Sequence, residues 1–184
     1  TGLSESFLPE ISMMLETVQN NPHHCFDVGH HSLAAVMNAR KIGERVQKDK
    51  MVMPSPYDGD FRKEKVDTIL VFAALLHDVG KAGCKTTDEK GVDHFHGHAE
   101  AGSQIAHDIM RRLRFDNDSV KMVEKIVRFH ERRYEGSRKA MRRLVSQAGA
   151  EVMPYLFIIQ EADVLSQSEY MREGKLARIK EGRH

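Results

Sequence analysis

Among the eleven histidines of this 184-residue chain, one stands beside an aspartate at the end of a long apolar run. Ile69-Leu70-Val71-Phe72-Ala73-Ala74-Leu75-Leu76 leads directly into His77 and Asp78. A helix that is apolar on every side is one buried all round. An aspartate at its end must shed its hydration, and an unpaired buried carboxylate is costly enough that it has to be paired, protonated or bound to a cation. A metal ion satisfies the imidazole and the carboxylate together. Gly80 reads as the helix stop and Lys81 places a cation just beyond the pair. The bland alternative for the dipeptide alone is a satisfied core histidine and an aspartate hydrogen-bonded near a helix end.

Other residues of the same chemistry fall on apolar helix faces. His98 shares a face with Ile105 and Ile109, His130 with Val123, Ile126 and Val127, and Asp163 with Leu156 and Ile159. On an earlier helix His31 aligns with Ala35 and Ile42, while His30 aligns equally well with Leu33, Ala34 and Met37, so periodicity does not choose between them. Five helices thus each bring a histidine or an aspartate inwards, and mixed imidazole and carboxylate ligation is what a hydrolytic divalent-metal site requires. His107, about 180° round its helix from His98, is expected to face solvent and serves as an internal control.

The elements that carry these residues read as helices over Glu5 to Gln19, Val28 to Val46, Arg62 to Asp78, His98 to Leu113, Asn117 to Glu131, Arg138 to Gln147 and Val152 to Met171. A charged amphipathic stretch follows from Tyr170 to His184. No strand alternation is evident, which makes the class all-α. Asn20-Asn21-Pro22, the Pro54 to Gly59 loop, Gly136-Ser137 and Ala148-Gly149 punctuate the helices. Two connections, residues 47 to 61 and 80 to 97, are long for a compact domain, and such loops often bind or cover ligands.

The length suits one domain over residues 1–184, and a balance of 40% hydrophobic to 30% charged residues is that of a soluble protein. No segment approaches the roughly 20 apolar residues of a membrane span. A net charge of +1 gives no global pull towards nucleic acid, and no DNA readout motif is present. Two cysteines, Cys25 and Cys84, make no disulfide framework and favour a reducing cytoplasm. Arg128, Arg132, Arg133, Arg138, Arg142 and Arg143 surround the helix carrying His130, and guanidinium forks suit phosphates. His23, His24 and His94 with His96 could be ligands too, but loop histidines near a site more often line its mouth or do nothing.

Taken in order, His31, His77-Asp78, His98, His130 and Asp163 resemble the HD superfamily of metal-dependent phosphohydrolases. His31-Ser32-Leu33 looks like the family's first motif, and this match prefers His31 over His30. Leu76-His77-Asp78-Val79-Gly80-Lys81 looks like the central one, and Phe95-His96-Gly97-His98 with Glu100-Ala101-Gly102 like the segment of the third histidine, with His96 an extra candidate. Within the superfamily the chain resembles the HD domain that follows the nucleotidyltransferase head of bacterial CCA-adding and poly(A)-polymerase-like proteins, through Asn21-Pro22-His23-His24 with Asp27-Val28, Arg142-Arg143-Leu144, and Ala162-Asp163 with Gln167-Ser168. No such head lies within these residues, so the chain is either a lone HD protein or a rear domain.

The resemblance implies a helical bundle of about six to eight helices around one or two divalent ions, of Mn, Fe, Ni, Co, Mg or Zn. His31, His77, Asp78 and Asp163 would hold one ion, and His98 and His130 with a bridging Asp78 a second. Water activated by such an ion would attack phosphorus, with Asp78 and Lys81 as the catalytic residues and Lys81, Arg132 and Arg133 as phosphate contacts. The expected substrate is a phosphorylated small molecule, a nucleotide or an RNA end. The other readings are a non-catalytic RNA-binding or structural domain, and a different HD chemistry such as a di-iron oxygenase.

Overall fold

The computed structural model describes residues 3–23, 26–48, 63–132 and 137–183. Among them run ten helices: α1 Leu3–Phe7, α2 Pro9–Glu16, α3 Val28–Lys48, α4 Lys63–Leu76, α5 Lys81–Cys84, α6 His98–Arg112, α7 Asn117–Phe129, α8 Arg138–Ala148, α9 Met153–Ser166 and α10 Arg172–Gly182. Local chemistry sets several boundaries. Pro9 starts α2 and splits the expected first helix, because proline suits a first helical turn and not an interior. The Asp116 carboxylate caps α7 by accepting from the Ser119 amide, and the Ser137 hydroxyl caps α8 by accepting from Ala140.

The all-α reading holds, with one small correction. The connection after residue 80 is not loop throughout: it contains α5 and a two-stranded antiparallel hairpin, β1 (Thr86–Thr87) paired with β2 (Asp93–His94). Strands of two residues are too short to show alternation. Asp93 ties this hairpin back to the N-terminal strap, accepting from the Asn20 amide at 2.7 Å and the Thr87 hydroxyl at 2.7 Å and pairing with Lys85 at 2.9 Å. Of the other long connection, residues 49–61 lie outside the described residues.

The apolar helix α4 lies between α3, α7 and α9, and Ile69, Leu70, Ala73, Ala74 and Leu76 are all buried. Helix α9 supplies Tyr155, Leu156, Ile158 and Ile159 to the same core. A helix with partners on several sides needs apolar residues on several sides, which is why the Ile69 to Leu76 run shows no polar stripe. No described helix is long and apolar enough to cross a membrane.

Gly80 does something other than stop a helix. Its φ is −74°, a conformation open to any residue, so it is not a left-handed terminator. It is small because a Cβ there would run into the His98 carbonyl and reach 2.6 Å from the Gly102 amide nitrogen. The turn between α4 and α5 and the first turns of α6 are thereby held backbone to backbone. Gly97, at φ +79°, makes the left-handed turn that launches α6.

Candidate metal centre

Helix α4 ends at Leu76, and His77 and Asp78 project from the tight turns that follow. His31 comes from α3, His98 is the first residue of α6, His130 caps the C-terminus of α7 and Asp163 lies in the last turn of α9. His31, His77, Asp78, His98 and His130 are all buried, each at most 5% exposed. Asp163 is the open edge of the cluster, with its side chain 21% exposed.

The two oxygens of Asp78 face different pairs of histidines. Oδ2 lies 3.2 Å from His77 Nε2 and 3.5 Å from His31 Nε2. Oδ1 lies 3.2 Å from His98 Nε2 and 3.6 Å from His130 Nε2. Asp163 Oδ1 closes the first group at 3.0 Å from His31 Nε2 and 3.6 Å from His77 Nε2. Candidate ligand atoms of His31, His77 and Asp78 lie within 4.8 Å of one another, as do those of Asp78, His98 and His130.

Every ring is turned the same way. Nδ1 donates to a backbone carbonyl in each case: His77 to Ala74 at 2.7 Å, His98 to Phe95 at 2.8 Å, His130 to Val127 at 2.7 Å and His31 to Ser166 at 3.3 Å. A carbonyl only accepts, so Nδ1 carries the proton and Nε2 is left to meet the cluster. The Nε2 atoms of His98 and His130 sit 3.4 Å apart, where two lone pairs need a proton or a cation between them. Among the described residues, buried His77 Nε2 makes no hydrogen bond of good geometry, although Asp78 Oδ2 lies 3.2 Å away. This donor set fits a divalent transition ion.

The field of the cluster calls for positive charge. Burial disfavours a charged His77, yet Asp78 and Asp163 beside it push its pKa up to about 10. His98 is raised in the same sense, burial being outweighed by Asp78. Burial would lift the carboxyl groups, but His77 and Lys81 hold Asp78, and His31 and His77 hold Asp163, well below the ordinary range.

Lys81 is buried, its Nζ 2.7 Å from Asp78 Oδ2, donating to Gln19 Oε1 at 2.7 Å and lying 5.2 Å from the centre of the Phe95 ring. Exposed Arg132 follows His130 by two residues, and Arg133 lies outside the described residues. His30 is exposed and bound to Asp27 at 2.7 Å, whereas His31 is buried within the cluster. His107 stays on the outside of α6 beside Asp108. His94 pairs with Asp88 and stacks on exposed His96, away from the ligand set, while His24 and Cys25 lie outside the described residues.

Two polar partners have roles the sequence does not assign, Gln167 entering there only beside Asp163 in the family resemblance. Gln167 donates from Nε2 to both oxygens of Asp163, at 3.0 and 3.1 Å. It follows Asp163 by four residues, the spacing of neighbours on one helix face, so that signal was available. Gln19, the partner of Lys81, lies in a non-helical strap where no periodicity applies.

Four histidines and two aspartates gathered by a bundle of helices form a donor set that could hold a divalent ion. The family model for the HD domain matches residues 28–168, and the chain belongs to that family. It is similar to the CC-adding tRNA nucleotidyltransferase of Thermus thermophilus, with 30% identity over 173 residues, 94% of this chain and 35% of that protein. It is also similar to the A-adding tRNA nucleotidyltransferase of Deinococcus radiodurans, with 28% identity over 163 residues, 88% of this chain and 32% of that protein. A multifunctional CCA protein of Neisseria meningitidis shares 28% identity over 130 residues, 70% of this chain and 25% of that protein. The chain therefore spans about a third of the length of the first two relatives.

Proposed function

We propose that the chain is a metal-dependent phosphohydrolase, cleaving a phosphomonoester or phosphodiester in a nucleotide or at an RNA end. The observation that carries this reading is Asp78, whose two oxygens each face a separate histidine pair. His31, His77, Asp78 and Asp163 would hold one divalent ion, and Asp78, His98 and His130 a second. Bound there, such ions supply Lewis acidity to water and to phosphoryl oxygens.

The chain's own residues supply aim and charge. The backbone carbonyls of Ala74, Phe95, Val127 and Ser166 orient the four imidazoles. Lys81 acts as a positioning residue: its buried ammonium fixes the Asp78 carboxylate through a charge-assisted contact, while Gln19 and Phe95 hold the lysine in turn. Exposed Arg132, two residues after His130, would meet phosphate oxygens beyond the ligand set. Support for a nucleotide or RNA substrate comes from relatives whose names place them on tRNA.

The test is a panel of phosphomonoesters and phosphodiesters, 2′,3′-cyclic nucleotides included, assayed with Mn, Ni, Co, Mg and Zn beside Asp78→Ala. Metal-dependent cleavage that the substitution abolishes is the expected result. If no metal copurifies and no ester is cleaved above the variant's rate, the hydrolase reading falls. RNA binding without metal would then favour the non-catalytic role as part of a tRNA nucleotidyltransferase-like protein.

A further inference from the structure

We infer that the open edge of the metal centre, beside Asp163, carries a nucleoside subsite in which Tyr170 stacks the base and Lys175 meets the adjoining phosphate. The inference rests on the phosphohydrolase reading only for the identity of the scissile group. A continuous row of contacts leads outwards from the centre. Asp163 accepts from Gln167 Nε2, Gln167 Oε1 accepts from Lys175 Nζ at 2.5 Å, and Lys175 Nζ lies 3.2 Å from His23 Nδ1. The His23 ring then packs on Tyr170, with centroids 5.1 Å apart and planes tilted by 56°. The row passes from carboxylate through amide and ammonium to imidazole and phenol.

That order of groups suits a nucleotide whose phosphate points to the metal centre. Lys175 brings positive charge one side chain, that of Gln167, away from the cluster residue at the open edge, and Tyr170 follows beyond His23 in the row, the place a base would take. Tyr170 is 51% exposed although one side meets His23, so ring surface remains for a base. Base stacking on an aromatic side chain tolerates any base, because every base presents a π face.

The corner that presents Tyr170 is built and strained. Met171 sits in the left-handed region at φ +56°, an uncommon conformation for a non-glycine residue and one that recurs at ligand sites. Several hydrogen bonds hold it there. The Ser168 amide donates to the His23 carbonyl at 2.9 Å, the Ser168 hydroxyl to the Pro22 carbonyl at 2.7 Å, and Arg172 Nη2 to the Gln167 carbonyl at 2.6 Å. His23, Tyr170 and Lys175 all fall outside residues 28–168, so the subsite belongs to this chain's flanking segments and not to the matched family core.

Calorimetric titration of the Mn-loaded chain with AMP and with ribose 5-phosphate separates base from phosphate recognition. AMP is expected to bind more tightly than ribose 5-phosphate. Tyr170→Ala should weaken AMP by about 5- to 100-fold and leave ribose 5-phosphate unchanged, with Tyr170→Phe restoring AMP. Lys175→Met should weaken both ligands by about 10-fold. Equal binding of AMP and ribose 5-phosphate by the unaltered chain, or an equal loss of both in Tyr170→Ala, overturns the subsite. A chain that hydrolyses no ester yet prefers AMP through Tyr170 retains the subsite and loses the phosphohydrolase reading. The converse, metal-dependent hydrolysis with no preference for the base, keeps that reading and removes the subsite.

Discussion

Replacing Gly80 by alanine tests whether the contact between the turn that leads into α5 and the first turns of α6 sets the candidate metal centre. Alanine is free to adopt the φ of −74° found there, so the cost is steric and not conformational. The added Cβ meets the His98 carbonyl and the Gly102 amide nitrogen, the latter at 2.6 Å. Both are backbone atoms that no rotamer change can move aside. Relief needs a shift of up to about 1 Å between the elements, and overpacking of this kind costs about 1–3 kcal/mol. Because the obstacles are backbone, we expect about 2–3 kcal/mol, a fall in Tm of roughly 4–12 °C for a domain of this size. Gly102→Ala is the control across the same contact. Its Cβ would meet the Gly80 nitrogen at 3.1 Å and the Val79 and Val127 methyls at 3.5 Å, and alanine gains about 1 kcal/mol of helix propensity, so its Tm should barely change. Since the obstructed carbonyl belongs to His98, the 3.2 Å approach of His98 Nε2 to Asp78 Oδ1 should open in Gly80→Ala. Thermal melts under chelation and calorimetric Mn titration read both effects, with the second ion weakened more than the first. A Gly80→Ala protein that melts within about 2 °C of the parent, or loses both ions equally, refutes the reasoning.

Three further outcomes follow from the same geometry. His31→Ala should weaken divalent binding at the group containing His77 and Asp163 by at least 10-fold in titration, whereas His30→Ala, on the exposed side of α3, should leave it unchanged. Under chelation, Tm should be highest between about pH 4 and 6.5 and fall on both sides. On the acid side, hydrogen bonds from Asn20 and Thr87 and the Lys85 charge hold Asp93 at about 2, and Ser119 and Lys65, against burial, hold Asp116 at about 2, so their stabilisation is lost as pH falls through those values. On the alkaline side His77, raised to about 10, stabilises fully below about 6.5 and progressively less as pH climbs; a Tm flat from pH 6.5 to 10 would contradict this. Asp116→Ala removes the α7 cap and should cost about 1 kcal/mol in urea denaturation, with Mn affinity preserved.

Much of the centre was legible because burial and periodicity leave a mark on the sequence. Asp163 among Leu156 and Ile159, and His130 among Val123, Ile126 and Val127, announce their direction through neighbours on the same helix. His31 did not, because the exposed side of α3 carries Leu33 and Met37 beside His30, so His30 and His31 each have apolar company. Gly80 looks like a helix stop in the sequence and is a close approach in the fold, two causes that are alike in one dimension. The hairpin at Thr86 to His94 and the Gln19 to Lys81 contact depend on segments with no repeating pattern. Their partners become visible only when the chain is folded.

Three of the four imidazoles donate to the carbonyl three residues before their own position: His77 to Ala74, His98 to Phe95 and His130 to Val127. Each ring is thus aimed by its own turn, whatever the other helices do. A floppy chelator loses rotamer entropy of about 1 kcal/mol per side chain when it captures an ion. Here that loss falls on folding, and an arriving cation meets rings already still. Capture should accordingly resemble docking to a rigid surface, limited in rate by shedding water from the ion and not by gathering the ligands.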